Sequence, residues 1–483
     1  MKEFFIKIKK KYKGISLPAK ASLWYVFCNI VQKGILLLTT PVFTRLLTTE
    51  EYGVYSVYQS WYGILTIFAT LYLYSGVYNN GLMKYPEDKN QFTSTMMGLT
   101  TLCTCVFGAL YFVNSKYWNS LLDLSTGLVL AIFIQSISVA AFSFWAKEER
   151  FAYRYKALVA VTLLMAILSP LLGIFWILNT ENFKAEARVW AFVIVQAIVG
   201  LFFYCKIVFR SKKLFNLKYW KFALFFSLPL VPHYLSQIIL NHSDRIMISN
   251  MVGKSEAGIY SVAYTIASMM TIITQAINDS LIPYTYQCLK NKEVDKLKMV
   301  ATDCVLLVAI GCVMAMLFAP EIVYIFASKP YYAAIGIIPS VAAAVFFTFL
   351  YTLYGNIEFY FEKTKFVMVA SCMAAVLNIF LNWILIPIFG YYAAGYTTLI
   401  SYIIYSIMHR TFSRKICKKN LACNSVYNEK VIIGLAILVL VSAFVIGITY
   451  SYFLLRILII ILLTILLIIK RKLFVKLFLQ FKK

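Results

Sequence analysis

Charge is scarce in this chain, and acid is scarcer than base. Asp and Glu together number 20 against 46 Lys and Arg, and charged residues make up only 14% of the sequence. Soluble domains carry roughly 25%. Histidine is nearly missing: His233, His242 and His409 are the full set, and no two have metal-ligand spacing. No C-x-x-C occurs among the ten cysteines, most of which sit inside apolar stretches. That excludes a zinc ribbon or dithiol motif and leaves them as small packing residues. Alternating segments of about ten residues are absent too, which argues against a membrane β-barrel. No connection between apolar runs is long enough to hold a soluble domain; the longest is read around His409 to Lys430.

Apolar residues are what the chain has instead, at 61% of 483. Runs such as Val431–Tyr450 and Ile457–Ile469 are too many to hide in one soluble core. The expected fold is an all-α polytopic membrane protein. Runs of about 20 apolar residues predict about 14 transmembrane helices. The lysine-threaded start, "MKEFFIKIKKKYKG", lacks an A-x-A cleavage site and reads as an amphipathic, lipid-facing segment over residues 1–20.

Basic residues test the count. Lys and Arg gather at both ends and in every second connection, with nine exceptions: Lys33, Arg45, Lys116, Lys184, Arg188, Arg245, Lys254, Lys329 and Arg456. Alternation of this strength follows the positive-inside rule and places both termini in the cytoplasm. The formal net charge of +26 then faces the anionic inner leaflet, and nucleic acid is not implied.

Two stretches nearly repeat. "EEYGVYSVY" begins at Glu50 and "SEAGIYSVAY" at Ser255. Glu51, Gly53, Tyr55, Ser56 and Val57 match Glu256, Gly258, Tyr260, Ser261 and Val262. Six spans separate the copies, an even number, so both have one orientation. This predicts two parallel six-helix lobes around a central cavity, 21–210 and 211–412. A loop at 413–430, two C-terminal helices over 431–470 and a basic tail at 471–483 complete the chain. Parallel duplication of helical bundles is a transporter architecture.

"GILLLTTPVFTRLLTTEEYGVYSV" and "LPLVPHYLSQIILNHSDRIMISNMVGKSEAGIYSVAY" resemble the two signature regions of bacterial polysaccharide-repeat flippases. These belong to the multidrug/oligosaccharidyl-lipid/polysaccharide exporter superfamily. The Asp-Arg pair followed by G-x-x-x-x-G-x-Y, here Gly253 to Tyr260, carries much of the likeness. The resemblance implies a transporter, not an enzyme, in the bacterial cytoplasmic membrane. It implies movement of undecaprenyl-pyrophosphate-linked oligosaccharide repeat units from the inner to the outer leaflet, for O-antigen or capsule. Membrane lipids and a polysaccharide polymerase complex are the expected partners. No cofactor is expected beyond a coupling sodium ion or proton.

An anionic sugar-bearing headgroup needs cations and polar surface to cross hydrocarbon, and intramembrane charge marks function by default. Lys33 lies deep in the first span, with Asn29 and Gln32 beside it, as a polar stripe for the cavity. Arg45 and Arg245 offer bidentate geometry to phosphate oxygens, with interfacial anchoring as the plain reading. Pro229 and Pro232 should kink the seventh span. Beyond them His233, Gln237, Asn241 and Asp244 recur at helical spacing as one polar face, whose plain reading is interhelical packing. Asp244 and Glu358 are the coupling-ion candidates, and Asp279, His233 and His242 are weaker ones. Asp279 and Glu358 are placed toward the cytoplasmic ends, where solvated acids are ordinary. Other readings stay open: a drug or organic-cation antiporter of the same fold, a membrane polymerase or glycosyltransferase, or a non-transporting scaffold. Lys33 and the shortage of deep acids weigh against cationic substrates.

Overall fold

The computed structural model describes residues 16–469, and it is helical throughout them, without a strand. The readings for the amphipathic start and the basic tail lie largely outside those residues. Each of the fourteen expected stretches holds a helix. Eleven helical segments are long and apolar enough to cross a membrane. The stretches that fall short are Thr49–Thr70 and Tyr392–Leu421, which are rich in Tyr, Ser and Thr, and the short Phe453–Ile469. The chain divides into two compact units between Leu235 and Ser236.

The first unit runs α1 (Leu17–Leu46), α2 (Thr49–Thr70), α3 (Gly76–Lys84), α4 (Lys89–Val113), α5 (Ser115–Leu122), α6 (Thr126–Phe151), α7 (Tyr155–Leu178), α8 (Lys184–Ser211) and α9 (Leu217–Ser227). Pro18 opens α1, where a missing N–H costs nothing. The first copy of the repeat starts α2 with a capping box. Thr48 Oγ1 accepts from the Glu51 N–H at 3.2 Å, and Glu51 Oε2 accepts from the Thr48 N–H at 2.8 Å. Helix α8 packs along α6 and α7, and α1 packs on α7. Gly200 permits the α6–α8 approach: a Cβ there would stand 2.5 Å from Ser138 Cα. Helix α9 packs on α4 and α3, so 217–235 goes with the first unit, beyond the 210/211 boundary read from the repeat.

The seventh span is interrupted where its prolines predict. A short 3₁₀ turn, Leu228–Leu230, separates α9 from α10 (Val231–Met251). The second unit then holds α11 (Lys254–Ser268), α12 (Met270–Lys290), α13 (Val294–Leu317), α14 (Ala319–Phe326), α15 (Ile338–Tyr360), α16 (Thr364–Phe389), α17 (Tyr392–Leu421), α18 (Glu429–Thr449) and α19 (Phe453–Ile469). Helix α15 is its axis. It is buried nearly all round and packs against α11, α12, α13, α17 and α18. The expected loop at 413–430 is helical as far as Leu421, because α17 keeps packing surface there through Ser413, Ile416 and Cys417. The connection that remains is pinned by Tyr427, whose hydroxyl donates to Leu353 O at 2.8 Å. Burial pushes the Tyr427 phenol well above its ordinary range. Helix α19 is tied in by an Arg456–Glu321 ion pair.

Candidate functional site

Asp244 is the centre of the second unit's polar interior. Helix α10 carries it into the bundle, where it is wholly buried. Its Oδ2 accepts from the Tyr260 hydroxyl at 2.6 Å and the Thr398 hydroxyl at 2.7 Å. Its Oδ1 accepts from Asn382 Nδ2 at 2.6 Å. Three further side chains complete the cluster. Asn378 Oδ1 accepts from Ser243 Oγ at 3.1 Å, Asn378 Nδ2 donates to Thr398 Oγ1 at 3.4 Å, and Thr397 donates to Asn382 Oδ1. All of these residues are buried. Helices α10, α11, α16 and α17 each contribute.

Among the described residues no Lys, Arg or His stands within ion-pair distance of Asp244. Asp244 and Arg245, though adjacent in sequence, form no ion pair. Arg245 turns away, donating to the Asn241 carbonyl and lying 4.3 Å from the Tyr264 ring centroid. A buried carboxylate held only by neutral donors carries a large desolvation penalty. Around it stand two hydroxyls and an amide N–H, so its surroundings are polar and neutral and hold no soft ligand.

Gln237 and Asn241, also on α10, lie in the second unit with Asp244. Gln237 Nε2 donates to Tyr405 Oη at 3.0 Å, and Asn241 Oδ1 accepts from Tyr264 Oη at 3.0 Å. His233 belongs to the first unit, half-buried beside Tyr234. Glu358 corrects its sequence reading. It is not a solvated acid but a fully buried one, 2.8 Å from His409 Nδ1, because α15 is enclosed on every side. Asp279 is exposed, as expected for a surface acid.

In the first unit the sequence candidates do not share one setting. Asn29 is exposed, Lys33 is half-buried, and Gln32 turns inward. Arg45 is exposed and donates to the Pro41 carbonyl at 2.9 Å. Gln32 joins Ser138, Ser143, Thr162, Ser169 and Gln196 around a cavity of about 290 Å³ among α1, α6, α7 and α8. Gln196 Oε1 and Ser169 Oγ are buried there without a protein partner.

Arg188 is one of the nine exceptions to the basic-residue pattern. It is buried on α8, with its guanidinium 3.5 Å from the Tyr55 ring centroid, 4.1 Å from Phe43 and 4.7 Å from Tyr52. Tyr55 is the repeat partner of Tyr260. The duplicated tyrosine lies against Arg188 in the first half, while in the second it donates to Asp244 and has Arg245 5.9 Å from its ring centroid. Asn378, Asn382, Thr397, Thr398 and Arg188 were all missed. Paired amides at i and i+4 in an apolar helix are a signal that would have found the first two.

Comparison with known proteins bears on the family and the fold. A family model described as "Polysaccharide biosynthesis protein" matches residues 19–288, more than half of the chain, and a MatE model matches 229–384. Lsg locus putative protein 1 of Haemophilus influenzae is 24% identical over 376 residues, covering 74% of this chain and 89% of the relative. The probable low-salt glycan biosynthesis flippase Agl15 of Haloferax volcanii is 21% identical, covering 81% and 82%. Among solved structures, the inward closed lipid II flippase MurJ overlays with a TM-score of 0.68 at 15% identity, over 94% of this chain and 99% of that one. An inward-facing multidrug MATE transporter overlays at 0.59 and 14% identity, over 80% and 96%. The chain is a multi-pass membrane transporter and not an enzyme, and it belongs to the polysaccharide biosynthesis protein family of the multidrug/oligosaccharidyl-lipid/polysaccharide exporter superfamily.

Proposed function

We propose that this protein is an ion-driven flippase for undecaprenyl-pyrophosphate-linked oligosaccharide repeat units. It carries them from the inner to the outer leaflet of a bacterial cytoplasmic membrane by alternating access, with both termini cytoplasmic. The observation that carries the energetic half of this reading is the Asp244 cluster. A coupling sodium ion or proton would be held by the Asp244 carboxylate with the oxygens of Asn378, Asn382 and Thr398. Such an ion supplies positive charge to a carboxylate that otherwise has only neutral donors, so its arrival and departure change the stability of the packing of α10 on α16 and α17. The substrate half is supported by two relatives named as flippases, one acting in glycan biosynthesis and the other on lipid II. Lys33, Arg45 and Arg245 are the proposed cationic contacts for pyrophosphate, and Asn29, His233, Gln237 and Asn241 the polar surface for sugar. A polysaccharide polymerase complex is the partner proposed to receive the product.

The test is the lipid-linked glycan pool of a deletion strain, with a readout of leaflet. Complete repeat units accumulating on the cytoplasmic face, with surface polymer lost, support the proposal. Restoration by the wild-type gene but not by Asp244→Asn supports the ion site. The MatE match over 229–384 favours drug antiport as the second reading. An unchanged glycan pool together with new drug sensitivity would select it.

A further inference from the structure

The second unit contains a buried acid–base pair that the Asp244 cluster does not use. Glu358 on α15 and His409 on α17 are 0% and 1% exposed, and Oε1 and Nδ1 are 2.8 Å apart. The far atoms of both groups, Glu358 Oε2 and His409 Nε2, are buried and have no partner. His409 lies 11 residues after Thr398 on the same helix, about three turns from Asp244's hydroxyl donor.

We propose that Glu358 and His409 form a proton-binding site, separate from the Asp244 ion site, that gains and loses one transferable proton. The argument is one of satisfaction. With glutamate and imidazolium, Oε2 and Nε2–H each present an uncompensated charge face to the interior. With the carboxylic acid and neutral imidazole, a neutral N–H and a neutral carboxyl oxygen are left unpaired, a smaller penalty than two unpaired charges. The single proton therefore sits between Oε1 and Nδ1 in the pair as described. It leaves to water as hydronium, with no bond broken but O–H or N–H, only when Oε2 or Nε2 becomes wet. Whichever far atom meets water first is the door. This proposal does not depend on what the protein transports.

Few other groups bear on the pair. Tyr405 and Tyr351 lie 4.8 and 5.6 Å from the His409 ring, on the same two helices. Cys372 of α16 lies beyond Tyr405. Arg410 of α17 and Glu429 of α18 close on each other. The Glu358 carboxyl is coupled electrostatically to His409 and Tyr405, both on α17, and no charged residue of α11, α12 or α13 acts on it. Tyr402, Tyr405, Tyr351 and His409 form a run of contacting rings, and Tyr402 donates to Asn241 at 3.5 Å. This run joins the proton site to the helix that carries Asp244.

Three histidines make the test tractable. The full-length protein is labelled with ¹⁵N-histidine, placed in lipid nanodiscs, and followed between about pH 5 and 8. His409→Gln assigns the ring signal. In parallel, infrared difference spectra follow the protonated-carboxyl band, assigned by Glu358→Gln. The expected result is a ring change and a carboxyl change in one pH window. Loss of a proton equivalent from acid uptake should occur on Glu358→Gln, and should occur again when that change is made in an Asp244→Asn background. A ring and carboxyl whose states stay fixed across the range would overturn the proposal and leave a structural pair. So would two changes in separate windows. Should either variant fail to fold, the wild-type ring signal still decides, since His233 and His242 can be removed in its place.

Discussion

At the scale of single residues, the buried charges divide by what surrounds them. Asp244 is enclosed by hydroxyls and amides, and Arg188 by rings. Asp244→Asn removes the charge but keeps a side chain of the same shape. Transport in a reconstituted vesicle should fall at least about tenfold, equivalent to about 1.4 kcal/mol of lost coupling, while the amount of folded protein stays near wild type. Arg188→Lys keeps the charge and loses the plane that lies against Phe43, Tyr52 and Tyr55. A thermal melt in detergent should show a loss of about 1–2 kcal/mol. Asp244 was legible in the sequence because an acid in an apolar helix is costly and therefore conspicuous. Glu358 was misjudged for the opposite reason. Its position near a helix end suggested exposure, and only the packing of neighbours around α15 shows that it is enclosed. The polar partners of Asp244 were illegible singly, since Asn, Thr and Tyr are common in membrane helices and acquire meaning when α16 and α17 bring them together.

At the scale of elements, small residues and caps decide how closely helices meet. Gly200 has Ser138 backbone where a side chain would begin. Gly200→Ala should force α6 and α8 apart at a cost of about 1–3 kcal/mol, read as a lower melting temperature and weaker expression. Thr48→Ala should cost less, about 1 kcal/mol, by freeing the Glu51 N–H at the start of α2. Most element positions were readable from apolar runs, and the break at Leu228–Leu230 from Pro229. The 413–430 stretch was not. Its lysines and arginines suggested a loop, yet they decorate the exposed side of a helix whose other side, through Ser413, Ile416 and Cys417, stays buried. Charge marks a membrane boundary; it does not end a helix.

At the scale of the whole chain, alternating basic connections make a topological prediction. In a background with the ten native cysteines replaced, Lys212→Cys should react with an impermeant thiol reagent only after the cells are opened. Glu181→Cys should react in intact cells. The reverse pattern would invert the membrane orientation. Lys33→Ala should reduce surface polysaccharide while protein abundance remains normal, and unchanged polysaccharide would remove Lys33 from the transport path. The duplication itself was legible in nine or ten letters of sequence. What those letters could not reveal is that the halves had diverged in polarity.

That divergence, Tyr55 against a guanidinium and Tyr260 beside a carboxylate, makes the two halves non-interchangeable. An artificial chain built from two copies of the second half would carry two buried carboxylates of the Asp244 kind and no guanidinium enclosed by three rings as Arg188 is. The repeated letters are shared between the halves, and the charged neighbours of the shared tyrosine are not.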